Sequence, residues 1–215
     1  MKTDKLRRDQ LRLRKKVCVK KLKHKVNYIA GADVAVTSDY LIGCIGIFLF
    51  PSLELIEQKN GQARNNIPYI PGFLSFREIP VLMKCYKKLK NKPDLILVDG
   101  QGIAHPRRLG LATHLGIILN KPTIGCAKSH LFGDYEMPDD SKGSYALIKD
   151  RQETIGLVLR TKDSVRPLFV SPGHLVDAED CHKYVMLSLT KYRIPEPIRF
   201  AHKTAGEKAR QYEKS

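Results

Sequence analysis

The sequence predicts an α/β protein whose sheet mixes antiparallel and parallel strands. Three β-rich segments separated by short turns, residues 27–36, 41–50 and 53–58, predict an antiparallel three-strand meander. Two short apolar segments, 95–98 and 122–127, flank a segment of helical character, which is typical of parallel strands joined by a crossover helix. We therefore expect a mixed sheet with helices on both faces.

The remaining elements follow from hydrophobic periodicity. Residues 73–91 have apolar side chains near one face and predict a helix, which either kinks at Pro80 or begins there. The segment 59–72 before this helix is polar and contains prolines, so we predict a loop. The other predicted elements are the crossover helix at 109–119, two strands at 154–160 and 168–171, and a helix at 178–189.

A chain of 215 residues suits one domain with a full hydrophobic core, and we predict a single domain over residues 1–215. Both ends are basic. Residues 1–25 contain twelve Lys and Arg and predict a helix with one apolar stripe and a basic face, and residues 195–215 predict an irregular basic tail. The basic face of the N-terminal helix either contacts phosphates or is simply solvated, because charge alone does not orient it.

The charge balance favours a polyanionic partner. The chain has 38 Lys and Arg against 22 Asp and Glu, a formal net charge of +16, and the alternative is a merely solvated surface.

Five scattered cysteines without a CxxC pair argue against a zinc site or a disulfide framework and fit reduced thiols in the cytoplasm. The N-terminus lacks the apolar core of a signal peptide, and the longest apolar run, 41–51, is too short to span a bilayer. We expect a cytoplasmic protein without a membrane partner.

Two aspartates occupy unusual positions for a charged residue. Asp33 lies in the middle of a predicted strand, where aspartate is depleted, and Asp99 closes an apolar strand. A buried carboxylate needs a partner, and a divalent cation is one. The alternative for Asp99 is an ordinary loop-start aspartate. Glu78 is a third candidate on the helix that follows the loop, although a lone helical glutamate carries little information.

Segments spread over residues 27–203 together resemble the endonuclease V family. The most specific is the eleven-residue run Pro68–Glu78, PYIPGFLSFRE in one-letter code. The others are Gly31–Val34, Pro51–Glu54, Val98–Gly100, Gly102–Arg108, Pro122–Lys128 and Tyr192–Pro197.

The resemblance implies an RNase H-like fold, which agrees with a meander followed by strand, helix and strand. It implies that Asp33, Asp99 and Glu78 ligate catalytic metal ions, with Mg²⁺ expected and Mn²⁺ as the alternative. Two further catalytic residues are implied, His202 near the metals and Lys128 near the scissile phosphate. Without the resemblance, His202 would be interpreted as a surface residue of the tail.

The resemblance also implies a substrate-binding set around Tyr69. This tyrosine lies between prolines in a stiff segment, where a rigid apolar wedge can open a base stack, and the alternative is a turn whose tyrosine packs on the domain. Gly72 and Gly100 have no side chain to obstruct a flipped base. The full implied set is Pro68, Tyr69, Ile70, Pro71, Gly72, Leu74, Gly100 and His105.

The activity that the resemblance implies is that of a DNA-repair endonuclease. The enzyme would act as a monomer on DNA containing deoxyinosine and nick the second phosphodiester bond 3′ to hypoxanthine or another deaminated base, leaving 3′-hydroxyl and 5′-phosphate ends. Alternatives with the same fold are inosine-containing RNA or branched DNA as substrate. A different class is a nucleic-acid-binding protein with an inactive nuclease fold, but a pure binder gains nothing from carboxylates aimed at phosphates.

Overall fold

A computed structural model describes residues 2–213 and places eight strands in one mixed sheet. In chain order the strands are β1 Tyr28–Val36, β2 Tyr40–Leu49, β3 Leu55–Arg64, β4 Leu95–Val98, β5 Thr123–Ala127, β6 Tyr145–Asp150, β7 Glu153–Leu159 and β8 Leu168–His174. Across the sheet they lie in the order β3-β2-β1-β4-β5-β8-β7-β6.

The centre of the sheet has the arrangement of an RNase H-like fold, as predicted. Strands β3, β2 and β1 form the antiparallel meander, and β4 then pairs parallel with β1. Strand β5 pairs parallel with β4, so the apolar segments at 95–98 and 122–127 do form parallel strands. The carboxyl ends of β4 and β5 consequently meet at one edge of the sheet, which is where ligands bind in open α/β sheets.

Five helices accompany the sheet within the described residues, and they cover both of its faces. Helices α2 and α3 pack on one face around Ala30, Ala32, Ile45, Ile96 and Val98. The opposite face packs against α4 and the start of α5, with Ile29, Phe48, Leu97 and Ile124 in the shared core. The helix bounds are α1 Lys2–Arg14, α2 Leu74–Lys87, α3 Leu111–Leu119, α4 Ala178–Leu187 and α5 Glu196–Glu213.

Two sheet segments differ from the prediction. The strand predicted at 53–58 continues as β3 to Arg64, so the first part of the predicted loop is strand. Its polar residues pair along β2 at the edge of the meander, where backbone hydrogen bonds need no apolar side chains. Strand β6 was not predicted, because it lies at the opposite edge, where half of its residues are exposed and only Ile148 is fully buried.

The two ends of the chain also differ from the prediction. The N-terminal helix stops at Arg14 instead of residue 25, because the following chain forms tertiary hydrogen bonds: the Leu175 amide donates to the Cys18 carbonyl, and the Leu22 amide donates to Asp180. The predicted irregular tail is wrong, since residues 196–213 form α5. Small buried residues every four positions line this helix, namely Ala201, Ala205 and Ala209.

Helix α2 runs through Pro80 rather than beginning there. The proline lies on the exposed side, while Glu78, Ile79 and Leu82 are buried on the other. On the solvent side, water can hydrogen-bond the carbonyl that the proline leaves without a partner. Within the described residues, no helix combines the length and apolar composition needed to cross a bilayer.

Candidate active site

Asp33 projects from the middle of β1 toward α5. Side chains alternate along a strand, so Asp33 shares a face with Ile29 and Gly31, the face that packs against α5. Asp33 is 7% exposed. Nδ1 of His202 on α5 lies 2.7 Å from Oδ2 of Asp33, at hydrogen-bond distance. The imidazole itself is largely exposed, so it covers the carboxylate from the solvent side.

Glycine at position 31 brings α5 close enough for this contact. A Cβ atom at position 31 would overlap the carbonyl group of Pro197 and also crowd the amide of Ile198. The backbone at the start of α5 therefore lies directly on β1, and the helix then carries His202 over Asp33. Two residues separated by 169 positions in the chain meet through this single close approach.

Asp99 and Lys128 follow the carboxyl ends of the two neighbouring parallel strands, β4 and β5. The Asp99 amide donates to the carbonyl of Ala32 at 3.0 Å, which places Asp99 beside Asp33 on β1. The Lys128 ammonium donates to Asp99 Oδ2 at 2.5 Å. The ion pair is partly open to solvent, with the lysine side chain 38% and the aspartate side chain 13% exposed.

Asp33, Asp99 and His202 form a group that could hold a metal ion. One ligand atom from each residue lies within 4.8 Å of the others, and this is the one such group found among the described residues. The proximity is electrostatically unfavourable in itself. Burial raises the pKa of Asp33, and the negative charge of Asp99 raises it further, against the hydrogen bond from His202.

Glu78 completes an acidic cluster without joining the closest group. It is buried on α2, and burial followed by the charges of Asp33 and Asp99 raises its pKa to about 8, while Arg77 acts in the opposite direction. The structure thus brings together the three carboxylates that the sequence singled out. Glu78 interacts electrostatically with both aspartates, but it is not one of the three residues whose ligand atoms lie within 4.8 Å of one another.

A cavity of about 360 Å³ opens beside Asp99 and Lys128. Of the predicted substrate-binding residues, Tyr69, Gly72, Leu74, Gly100 and His105 line it, whereas Pro68, Ile70 and Pro71 do not. Gly100 has φ +151°, and a Cβ atom there would lie 3.3 Å from Cβ of Leu111, which also lines the cavity, so a side chain at position 100 would be strained and crowded. The cavity and the carboxylates therefore share the same edge of the sheet.

The Tyr69 loop, residues 68–72, borders this cavity through Tyr69 and Gly72. Its tyrosine is 62% exposed, so the alternative of a ring packed on the domain does not apply. His105 supports the base of the loop: its Nδ1 accepts from the Arg107 amide at 3.1 Å, and Nε2 donates to the Gly72 carbonyl at 3.2 Å. Burial and the neighbouring Arg107 charge lower the His105 pKa to about 4, which matches a neutral ring in these two bonds.

Several residues around the cavity were missed from the sequence. They come from loops and helix starts whose spacing shows no periodic pattern, and they include Gln101, Leu109, Leu111, Ser129 and His130. Ser75 also lines the cavity, and its hydroxyl lies 3.0 Å from Nδ1 of the buried His114 on α3. In the sequence, a histidine within the apolar segment 111–119 was the one feature that could have pointed to this pair.

The family comparison identifies the kind of protein that carries this site. The sequence profile of endonuclease V matches residues 11–203. The chain belongs to the endonuclease V family. Endonuclease V of Dictyoglomus turgidum is 48% identical over 193 residues, which cover 90% of this chain and 85% of that protein. As a member of this family the chain is an endonuclease, a hydrolase of phosphodiester bonds.

Solved endonuclease V structures share the whole fold. The crystal structure of endonuclease V from Streptomyces avermitilis superposes with a TM-score of 0.92 at 34% identity, covering 98% of this chain and 94% of that one. The Ciona intestinalis endonuclease V structure has a TM-score of 0.87 at 28% identity and covers 98% and 99% of the two chains. That protein was crystallised with a 24mer DNA containing an inosine followed by a ribo-adenosine.

Proposed function

We propose that the chain is a metal-dependent endonuclease that nicks DNA at the second phosphodiester bond 3′ to hypoxanthine or another deaminated base. The convergence of Asp33, Asp99 and His202 beside a base-sized cavity carries this proposal. Lys128 pairs with Asp99, but burial and the charge of Asp99 still raise the pKa of Asp33, so a further positive charge at Asp33 would stabilise the site. Such an arrangement is retained at functional sites rather than for packing.

The donor set fits a divalent cation. Two carboxylates offer the hard oxygen ligands that both Mg²⁺ and Mn²⁺ prefer, and His202 lies beside them. Burial raises the pKa of Asp33 and of Glu78, repulsion between the carboxylates raises both further, and a cation there would offset that repulsion. When bound, it would lower the pKa of a water and stabilise negative charge on the leaving oxygen.

The protein residues position the strand around that centre. Asp33, Asp99 and Glu78 would hold the cation, with Glu78 completing the acidic side of the site. Lys128, whose ammonium contacts Asp99, would neutralise a non-bridging oxygen of the scissile phosphate. His202 covers Asp33 from the exposed side, where it can hold or pass a proton near the reacting oxygen atoms.

The cavity and the Tyr69 loop would recognise the damaged nucleotide. A base that leaves the stack would enter the cavity beside Asp99, where Gly72 and Gly100 allow close approach of the backbone. Tyr69 would fill the gap in the stack, since its ring is exposed on a loop stiffened by Pro68 and Pro71. The inosine-bearing DNA bound to the Ciona intestinalis relative supports this class of substrate.

An oligonucleotide assay tests the proposed function. A labelled duplex with one deoxyinosine is compared with the same duplex containing adenine, each with Mg²⁺, with Mn²⁺ and with EDTA. We expect one metal-dependent nick in the deoxyinosine strand, a product one nucleotide longer than cleavage directly after the lesion would give, and ends that DNA ligase can reseal. Cutting in EDTA, or equal cutting of the adenine duplex, would overturn the proposal.

The same assay separates the alternative substrates. Single-stranded RNA with one inosine, and a branched DNA without a lesion, are tested at the same enzyme concentration. We propose DNA as the preferred substrate, so the rate on deoxyinosine DNA should exceed the rates on both alternatives. All proposed groups come from one chain, so we also propose a single-domain monomer, which light scattering during gel filtration would check.

A further inference from the structure

The N-terminal helix makes a direct contact with the Tyr69 loop through one residue. Of the described α1 side chains, those of residues 3–14, Gln10 alone is fully buried, although it lies on an otherwise exposed basic helix. Its Nε2 atom donates to the carbonyl oxygen of Gly72 at 2.8 Å. Its Oε1 atom accepts a short hydrogen bond from Nε of Arg107. Both ends of the amide are therefore bonded.

The Gly72 carbonyl is the point where three supports of the loop meet. It accepts from Gln10, from Nη2 of Arg107 at 2.8 Å and from Nε2 of His105 at 3.2 Å. The Arg107 guanidinium also stacks 4.4 Å from the ring centroid of Phe73, the residue after the loop. Gly72 has φ +78°, and a Cβ atom there would lie 2.5 Å from Nη2 of Arg107, so a side chain at this position would be strained and would displace the guanidinium.

Within the described part of the chain, the loop tip has no comparable set of side-chain hydrogen bonds. Pro68, Tyr69 and Pro71 are exposed, while the fixed atoms lie at the C-terminal root of the loop. The direction in which Tyr69 projects therefore depends on how firmly the root is held. An interaction that holds a wedge in its bound orientation improves binding by lowering the ordering cost on association.

We infer that Gln10 is a positioning residue for the Tyr69 wedge, which makes the N-terminal helix part of duplex recognition. This inference rests on the proposed function, because it assigns Gln10 to the opening of a base stack. It also orients α1: the face with Gln10 lies against the loop root, and the basic side chain of Arg8 lies on the exposed side, where it could contact phosphates next to the lesion.

The test uses Gln10→Ala on a duplex with one deoxyinosine and on the same strand without its complement. We expect KM for the duplex to rise roughly five- to tenfold, the factor of about one hydrogen bond, with kcat unchanged. The single strand should change by less than about twofold, because little stacking must be broken there. Leu11→Ala is the matched control, since Leu11 is the exposed neighbour on the same helix.

A double-mutant cycle distinguishes positioning from general helix docking. If Gln10 acts through the wedge, Gln10→Ala should have no further effect in a Tyr69→Ala background. An equal factor in both backgrounds, an equal factor on duplex and single strand, or no change in duplex KM would each overturn the inference. Should Gln10→Ala unfold, Gln10→Glu keeps the acceptor for Arg107 and replaces the donor to Gly72 with a carboxylate, so the same loss is expected.

The outcome also separates this inference from the proposed function. A wild-type protein that cuts neither deoxyinosine substrate contradicts the proposed function. A wild-type protein that cuts both, with Gln10→Ala indistinguishable from it, contradicts only the role of Gln10.

Discussion

At the scale of single residues, the site is a set of groups that are individually unfavourable. Asp33 and Glu78 are buried carboxylates with raised pKa values, and Asp99 lies between Asp33 and the Lys128 ammonium. If the proposed function is right, neutralising one of these residues should remove repulsion and metal-dependent cutting together. Stability and activity should therefore respond differently to substitutions here.

Asp99→Ala should abolish metal-dependent cutting while substrate binding is largely retained. The variant loses a proposed metal ligand, but the Tyr69 loop and the basic surface remain. Its melting temperature should no longer rise when Mg²⁺ or Mn²⁺ is added, whereas the wild-type value should, because a ligand of the native state stabilises it. Nicking rates and thermal melts with and without metal check both statements. Wild-type activity of the variant would show that Asp99 is not needed for cutting and is not a ligand of the catalytic metal ion.

Tyr69→Ala should lose most of its binding to a lesion-bearing duplex and keep cutting at high protein concentration. Aromatic stacking on a base is worth about 1–3 kcal/mol, which offsets part of the energy of unstacking. A lesion in a single strand should show a smaller loss. Binding measurements on both substrates decide between roles: an equal loss would make Tyr69 a wall of the base cavity, and no loss on either would make its exposure incidental.

At the scale of elements, the docking of α5 on β1 assembles the site. The start of α5 lies directly on Gly31, and the helix presents His202 to Asp33. On the other side of the sheet, α2 places Glu78 near the same carboxylates. The cluster therefore depends on two helices that are packed on opposite faces of the central strands.

Gly31→Val should displace α5 and inactivate the enzyme. The new side chain would overlap the Pro197 backbone, which cannot rotate away, so we expect a loss of about 3 kcal/mol in unfolding free energy. Gly206→Ala is the matched control within α5, because a Cβ atom there meets nothing closer than Arg210 at 3.6 Å and alanine favours the helix. Urea denaturation and nicking assays of both variants test this. Full activity of Gly31→Val would show that α5 tolerates a shift.

At the scale of the whole molecule, a net charge of +16 and two neutral buried histidines shape the response to solution conditions. The net charge affects association with any polyanion, because it acts over long distances. The two histidines affect the stability of the folded protein, because burial disfavours their charged form.

Affinity for undamaged DNA should fall steeply with salt concentration. Each phosphate that Lys or Arg neutralises releases counterions, so the logarithm of the affinity declines linearly with the logarithm of the salt concentration. Preference for a lesion should decline less, because the proposed function assigns it to the cavity and Tyr69 and not to the phosphates. Fluorescence titrations over a range of salt concentrations, with and without deoxyinosine, measure both quantities. A flat salt dependence would contradict the assumed phosphate contacts.

Folding stability should contain a term that falls as the pH drops from 6.5 toward 4. Burial lowers the pKa of His114 to about 4, below its ordinary value of 6.5. Between these values the unfolded chain binds more protons than the native one, so acid favours unfolding. At pH 5 the cost is about 2 kcal/mol for this histidine.

His114→Gln should lose this term and show a shallower decline in unfolding free energy between pH 7 and pH 5. Glu78 contributes with the opposite sign, because its raised pKa makes the native state bind the extra proton below about pH 8. The difference between variant and wild type isolates His114 from that contribution. Parallel slopes for the two proteins would mean that His114 is charged or exposed in the native state.

Local pattern was enough to predict the centre of the fold and two of its carboxylates. The apolar strands at 95–98 and 122–127 can be stable only when both faces are buried, which implies parallel pairing with helices on each side. Asp33 and Asp99 are visible because a carboxylate in or at the end of an apolar strand is costly. Hydrophobic periodicity is a local property, and these features are local.

Tertiary structure decided what depends on contacts between distant segments. The exposed edge strand β6 and the polar half of β3 exist through backbone pairing, which leaves no apolar pattern. His202 contacts Asp33 because Gly31 allows the start of α5 to lie directly on β1. Gln10 on α1 hydrogen-bonds to the Gly72 carbonyl because the fold brings these two segments together. These pairs are separated by 169 and 62 residues, so their energies appear only after the chain has folded.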